Sequence, residues 1–303
     1  MRLFLSCSEL GLGHVNRIIP LGKKLTRKGH EVHFFSGGTA YELLRKEFEN
    51  VYNCTPVAWY ENAHGVIASA SVLNILIPLP YFNYEKNKLE VKRPSSLETV
   101  YRYYDLRKHI RRIKPDLIIA DGDMHALRLA QRWNIPSAYI VNIIRPSYAF
   151  SALLTPGQRF TERYVKRAQE IIVPDNPSPY TICEHNLGNL DEIRIREKTK
   201  FVGSFSDMTF QKGSDEHIFA PISGPLGTRA KLIKTIIPIL TRTDTKSIVS
   251  LGDPSDKAVK KHGSCESDSW LSKNKRDEYM RNAERVIFSV GHVTCIEVIR
   301  HRK

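Results

Sequence analysis

The chain opens on the apolar run RLFLSC and then changes period. From His14 onward the apolar positions Val15, Ile18 and Ile19 recur at helical spacing in HVNRIIPLGKKLTRKG, which Gly29 closes, and a second apolar run, EVHFFSGG, follows. A strand, an amphipathic helix and a strand in that order predict a β-α-β unit. The order returns in PDLIIADGD, MHALRLAQRWNI and PSAYIVN, and again in RFTERYVKRAQ and EIIVPD. Strands that are apolar throughout, rather than alternating, belong to a mostly parallel sheet covered on both faces. After TKFVGSFSD the rhythm restarts with the strand HIFAPISG, the helix TRAKLIKTIIP, the strands SIVSLGD and RVIFSVG, and the helix TCIEVIRH. The predicted fold class is α/β, with two doubly wound parallel-sheet domains over residues 1–203 and 204–303. A chain of 303 residues suits that division, since domains commonly hold about 150 residues each.

Two segments break the rhythm. SVLNILIPLPYFNYEKNKLEVKRPSS is apolar and aromatic first and basic afterwards, too rich in proline for a regular helix, and reads as a long loop packed on its own domain or as a membrane-contact surface. PSDKAVKKHGSCESDSWLSKNKRDE reads as a polar connection.

A formal charge of +14 implies an anionic partner: nucleic acid, an anionic lipid surface or a phosphorylated substrate. Nucleic acid is disfavoured, because the basic residues are dispersed among acidic ones and no recognition motif accompanies them. The five cysteines are scattered and never form a C-x-x-C pair, which argues against a disulfide framework and a structural zinc and favours a reducing, cytoplasmic setting. No stretch approaches the roughly 20 apolar residues of a membrane-spanning helix, and LFLSC is too short for a secretory signal, so the expectation is a soluble or peripheral protein.

The loop LGLGHVNR carries the first candidate chemistry. A dinucleotide fingerprint would need a third small residue where Asn16 stands and a carboxylate after the second strand, where the chain reads FFSGG. A phosphate-cradling Walker loop would need Gly-Lys-Ser/Thr at its end, which is absent. In a third reading Gly11 and Gly13 turn the chain into a helix start whose free amides face an anion, and His14 projects into the crevice at the strand's carboxyl end as a group able to take a proton near neutral pH. The plain alternative makes the glycines an ordinary turn and His14 a polar residue of the first helical turn.

GLGHVNRIIPLGKKLTRKGHEVHFFSGG resembles the opening of the GT-B glycosyltransferases of family 28, which include the bacterial lipid-linked muramoylpentapeptide N-acetylglucosaminyltransferase and archaeal relatives. Three further stretches resemble that family in the same order: KFVGSF its interdomain linker, ISGPLGTR its glycine-rich donor turn, and AERVIFSVGHVTCIEVI its nucleotide-sugar signature. The resemblance implies two Rossmann-like domains, the first on the acceptor side and the second binding the donor. It implies that Glu297 accepts hydrogen bonds from the donor ribose, a task for which a carboxylate offers several acceptor sites. Gly291, His292, Val293 and Thr294 would present helix-start amides to the donor diphosphate. Ser223, Gly224, Gly227 and Thr228 would form the second diphosphate-facing loop, with Pro225 removing one amide. The backbone around Leu271 and Ser272 would read the base.

His14 matches the histidine of the family's first glycine loop. Asp121 ends the strand DLIIAD and is expected to orient the His14 ring, so that the pair acts as a base; the alternative for Asp121 is a helix N-cap ahead of GDMHALRLA. DGD, Asp121 to Asp123, mimics the metal-binding D-x-D of another transferase fold, and no metal or other cofactor is expected. The implied reaction is inverting transfer of a sugar, with N-acetylglucosamine as one candidate, from a nucleotide-diphosphate donor such as a UDP-sugar to an acceptor hydroxyl. The implied partners are the nucleotide-sugar, a lipid-linked or other glycan acceptor and an anionic membrane surface; a nucleotide-sugar epimerase and a partner-dependent, non-catalytic subunit are the rival readings. The sequence ends at IRHRK, where the family continues through a further strand, loop and helix, so the second domain is expected to be truncated.

Overall fold

The computed structural model describes residues 1–303 except 10–11, 58–59, 63–64, 84–87, 146–150, 206–209, 225, 254–255, 257 and 290; the side chains of 61–62, 65–66, 68, 82–83, 151–154, 156 and 226–228 also lie outside the described set. In chain order the elements begin with β1 (Arg2–Cys7), α1 (Leu12–Arg27), β2 (Glu31–Ser36), α2 (Gly38–Glu47) and β3 (Val51–Asn53). Next come β4 (Glu61–Asn62), β5 (Gly65–Val66), α3 (Ala68–Leu73), β6 (Leu79–Asn83) and β7 (Lys88–Lys92). The middle of the chain forms α4 (Ser95–Ile113), β8 (Leu117–Asp121), α5 (Met124–Arg132), β9 (Ser137–Ile140), α6 (Ser151–Val165), β10 (Glu170–Val173), α7 (Glu184–Leu187) and β11 (Thr199–Phe201). The rest forms β12 (His217–Pro221), α8 (Leu226–Leu240), β13 (Ser247–Ser250), β14 (Val259–His262), β15 (Cys265–Asp268), α9 (Lys273–Asn282), β16 (Ala283–Val286) and α10 (His292–Arg300). These elements group into two compact units, residues 1–58 with 96–207 and residues 59–95 with 208–303.

The first unit is built on a seven-stranded sheet in the order β11-β10-β9-β8-β1-β2-β3, parallel throughout. Successive side chains of a strand point to opposite faces, and both faces are covered here. Leu3, Leu5 and Phe34 join Val15 and Ile18 of α1 and Leu44 of α2 on one face. Phe4 and Phe35 join Leu106 and Ile110 of α4 and Leu127 of α5 on the other. The close fit of α1 to the sheet depends on Gly22, where an added Cβ would come within 2.5 Å of the Phe34 ring. The chain winds outward from β1 to β3 and then returns to β8 on the other side of β1. The reversal makes the β1–β8 junction a topological switch point, whose crevice lies beyond the carboxyl ends of the strands.

The second unit holds a five-stranded sheet in the order β14-β15-β13-β12-β16, parallel except for the antiparallel pairing of β14 with β15. Phe219, Ile248, Met280 and Val298 fill one face, and Ala220, Ile222, Ile236, Leu240 and Val249 the other. Its switch point falls between β12 and β16.

Both segments expected to be irregular or connecting carry regular structure. Residues 71–96 contain the end of α3 and the antiparallel β6–β7 hairpin, which runs from Leu79 opposite Lys92 to Asn83 opposite Lys88. Pro80 is tolerated because a two-stranded ribbon leaves each strand with a free edge. The β4–β5 hairpin packs on α8. The polar stretch 254–278 supplies β14, β15 and the start of α9, and β15 is buried at Cys265, Ser267 and Asp268 despite having no apolar run.

Candidate active site

In the first unit β1 and β8 run side by side with Cys7 opposite Asp121, so residues just past their carboxyl ends meet. Asp121 is fully buried at the end of β8, and its carbonyl accepts from the Ser8 amide at 2.9 Å. His14 lies in the first turn of α1, with Nδ1 2.7 Å from Asp121 Oδ1. Gly13 precedes it in the same turn; Gly11 lies outside the described residues.

Arg17, one helical turn beyond His14 and 6% exposed, closes the other side of the carboxylate. Its Nε donates to Asp121 Oδ2 at 2.6 Å and its Nη2 donates to Oδ1. Burial alone would raise the Asp121 carboxyl, but the Arg17 guanidinium and His14 outweigh it and hold the group below its usual range. An ionised carboxylate 2.7 Å from Nδ1 requires the proton on that nitrogen. Arg17 Nη2, 3.0 Å from Nδ1, then lies beside the ring with one hydrogen given to Asp121 Oδ1. Nε2 is left as the lone-pair nitrogen, able to accept a proton.

Gly122 makes room for this ring. Its φ is +65°, and a Cβ there would fall 2.6 Å from His14 Cε1.

A second buried ion cluster lies beside the first. Arg102 of α4 donates to Glu9 Oε2 at 2.7 Å and to Asp123 Oδ2 at 2.8 Å, and reaches Cys54 Sγ at 2.9 Å. Asp123 caps α5, accepting from the His125 amide at 3.1 Å, and also accepts from Ser6 Oγ. Burial raises the Asp123 carboxyl, but Arg102 and His125 pull it down further, to about 2. The α5 N-cap is thus Asp123 rather than Asp121, and each carboxylate of DGD has its own arginine.

In the second unit the predicted donor residues collect at the β12–β16 switch point. Ser223 and Gly224 follow β12, and Gly291 is the N-cap of α10, whose first turn holds His292, Val293 and Thr294. The two loops are stitched together: the Ser223 amide donates to Ser289 Oγ at 3.2 Å, and that hydroxyl donates to the Ser223 carbonyl at 2.7 Å. A Cβ at Gly291 would come 3.2 Å from Ser223 Oγ. The starts of α8 and α10 therefore follow adjacent strands, and the positive end of a helix suits an anion. Gly227 and Thr228 are in the first turn of α8, with the Thr228 side chain outside the described residues.

Glu297 is engaged. Its Oε2 accepts from Arg276 Nη2 at 2.8 Å and Nε at 3.3 Å, and the same Nη2 donates to Thr294 Oγ1 at 3.3 Å. Ser272 caps α9, accepting from the Lys275 amide at 3.4 Å, and Leu271 is packed in the core.

Sequence reasoning did not single out Arg17, Arg102 or Arg276. For Arg17 a signal existed, because it stands three residues after His14 and next to the core position Ile18; an arginine on a surface helix otherwise reads as solvated.

No protein-family profile matches the chain. An uncharacterized glycosyltransferase of Methanosarcina mazei is 24% identical over 307 residues, covering 97% of this chain and 75% of the relative. Among solved structures, the glycosyltransferase of kitacinnamycin aligns with a TM-score of 0.59 at 13% identity, over 98% of this chain and 77% of that one. The calicheamicin glycosyltransferase CalG4 aligns at 0.57 and 15%, over 98% and 76%. LpCGTa, solved in complex with UDP, aligns at 0.58 and 12%, over 98% and 77%. Two parallel-sheet α/β units in this order, matched over nearly the whole chain, have the GT-B glycosyltransferase fold.

Proposed function

We propose that this chain transfers a sugar from a nucleoside-diphosphate donor to an acceptor hydroxyl with inversion at the anomeric carbon. The observation that carries the proposal is the buried His14–Asp121 pair, Nδ1 2.7 Å from Oδ1 of a carboxylate that Arg17 and His14 hold below its usual range; the reading puts the proton on Nδ1 and leaves Nε2 as acceptor. In this reading Nε2 takes the hydroxyl proton as the acceptor oxygen bonds to the anomeric carbon. The bond from that carbon to the diphosphate breaks, and its electron pair leaves on the diphosphate. Amides at the starts of α8 and α10 stabilise the charge that grows there, and Glu297 receives the ribose hydroxyls. The glycosyltransferase relative supports the reaction class, and the UDP of one structural neighbour supports a uridine donor, with UDP-N-acetylglucosamine the first to try.

A lipid-linked acceptor is the favoured substrate because the segment around the β6–β7 hairpin leaves Leu76, Leu89 and Val91 at 77%, 71% and 68% exposure, next to Lys88 and Arg93. Among the described residues no helix is long and apolar enough to cross a membrane. Peripheral contact with anionic lipid is part of the proposal, and co-sedimentation with anionic but not neutral vesicles is its check.

The test of the transfer begins with a thermal-shift screen of nucleotide-sugars, since a ligand that binds only the native state raises its melting point. With the donor so identified, His14→Ala should lower kcat by about 10²–10⁴-fold with little change in donor affinity. A loss under about tenfold removes His14 as the base. Turnover of donor without any acceptor would favour an epimerase instead.

A further inference from the structure

Asp121 has two effects on His14 that pull against each other. Its hydrogen bond orients the imidazole, yet an unopposed negative charge 2.7 Å from Nδ1 would favour imidazolium, which has no lone pair left to take a proton. Arg17 bears directly on this conflict. It takes both oxygens of the same carboxylate, is 6% exposed, and has its Nε and Nη2 edge turned to Asp121 rather than to solvent.

We propose that Arg17 is a positioning residue that cancels the charge of Asp121 while leaving its hydrogen bond to His14 intact, so that the carboxylate orients the imidazole without acting on it as an unopposed charge. The inference rests on the reading of His14 as the base.

The remaining groups around the pair do not supply that cancellation. Cys7, from β1, is pushed up to about 12 by burial and stays neutral. Tyr139, from β9, is likewise raised by burial and stays neutral. Asp123 and Glu9 are both engaged by Arg102 of α4, a cluster that holds one more negative than positive charge. Arg17 is therefore the one cation, among these described neighbours, placed on Asp121 itself. Without it the imidazole would face an unopposed buried carboxylate, a situation that moves a titration by about 1–3 pH units.

The experiment uses the full chain with isotope-labelled histidine, following the imidazole by NMR as pH is varied, with the His14 signal among the eleven identified by its loss in His14→Gln. In Arg17→Gln the midpoint of His14 protonation should rise by about one pH unit or more, and the acid limb of the kcat profile should rise with it. Arg17→Lys keeps the charge and loses the fork, so its midpoint should stay with the parent's. Near-UV circular dichroism reports whether each variant is folded. An unchanged or lowered midpoint in folded Arg17→Gln overturns the proposal. Should Arg17→Gln fail to fold, Arg17→Lys decides: a parent-like midpoint upholds the charge argument, and a rise of about a unit with the charge retained overturns it. The NMR titration needs no turnover, so a chain without transferase activity would sink the proposed function and leave the Arg17 result standing.

Discussion

Asp121 and Arg17 expose 0% and 6% of their side chains, whereas Glu297 and Arg276 expose 17% and 23%. Both carboxylates stand near a switch point of a parallel sheet, and both are held by an arginine fork. Burial separates them. A charge pair sealed from water has already lost its hydration, so removing one member leaves the other uncompensated, which costs about 3–5 kcal/mol. A pair still touching water has nearly free substitutes for its partner and contributes about 0–1 kcal/mol. The first arrangement suits a fixed support for a reacting group. The second suits a carboxylate that must exchange its partner for a ligand.

The most severe way to test that contrast is to remove each carboxylate in turn. Asp121→Ala should cost about 3–5 kcal/mol, read as a lowered urea midpoint, because Arg17 would be left buried without its counter-charge. The same substitution at Glu297 should cost under about 1 kcal/mol. Equal costs would mean that solvent exposure does not distinguish the two pairs.

Acid should separate the units next. Asp123 is held at about 2 against an ordinary value of 3.8, so its stabilisation is complete above pH 4 and is lost as pH falls from about 4 to about 2. The loss through this group should reach about 2 kcal/mol. Asp277 of the second unit runs the other way: burial and the neighbouring Glu297 raise its carboxyl, so its contribution is fullest below pH 3.8 and fades as pH rises through the raised value. Urea midpoints measured from pH 5 to pH 2.5 should fall less steeply in Asp123→Asn than in the parent, and more steeply in Asp277→Asn.

Much of the first unit was legible because its strands are apolar throughout and its helices change period cleanly. RLFLSC and DLIIAD announce β1 and β8, and their adjacency brings His14 to Asp121. The second unit was harder to read. CESD gives no strand signal, yet β15 sits between β13 and β14, with Asp268 satisfied by the Trp270 amide at 3.1 Å and by Lys275 Nζ at 3.2 Å. Cys265 alone of that strand joins an apolar cluster, and hydrogen bonds hold its acidic end, which no periodicity records. The arginines were harder to read for a related reason. Sequence shows their charge, while the carboxylates that bury them arrive from 104 and 21 positions away in the chain.

Gly122→Ala probes the buried site more gently. The residue has φ +65°, and its Cβ would fall 2.6 Å from His14 Cε1, so either the backbone or the ring must shift. The left-handed backbone alone costs about 1–2 kcal/mol. If the ring yields, kcat should drop with little change in donor affinity, because only the His14 imidazole has moved. A stability loss with kcat preserved would show that the loop gives way instead.

The smallest effect on stability is expected at the open pair, and there the informative quantity is binding. Glu297→Gln keeps an acceptor oxygen in nearly the same place but removes the charge that draws Arg276 Nη2 to 2.8 Å. The urea midpoint should move by less than about 1 kcal/mol. Affinity for a nucleoside diphosphate should fall by about tenfold or more, since hydrogen bonds to a charged group are worth about 1.5–3 kcal/mol and neutral ones less. Calorimetry on the same variant separates the two roles of the carboxylate. A large stability loss with affinity unchanged would make Glu297 a structural partner of Arg276 and erase the contrast with Asp121. A stability change near zero with weakened binding leaves Arg276 as the group that holds the carboxylate in place until the ribose takes over.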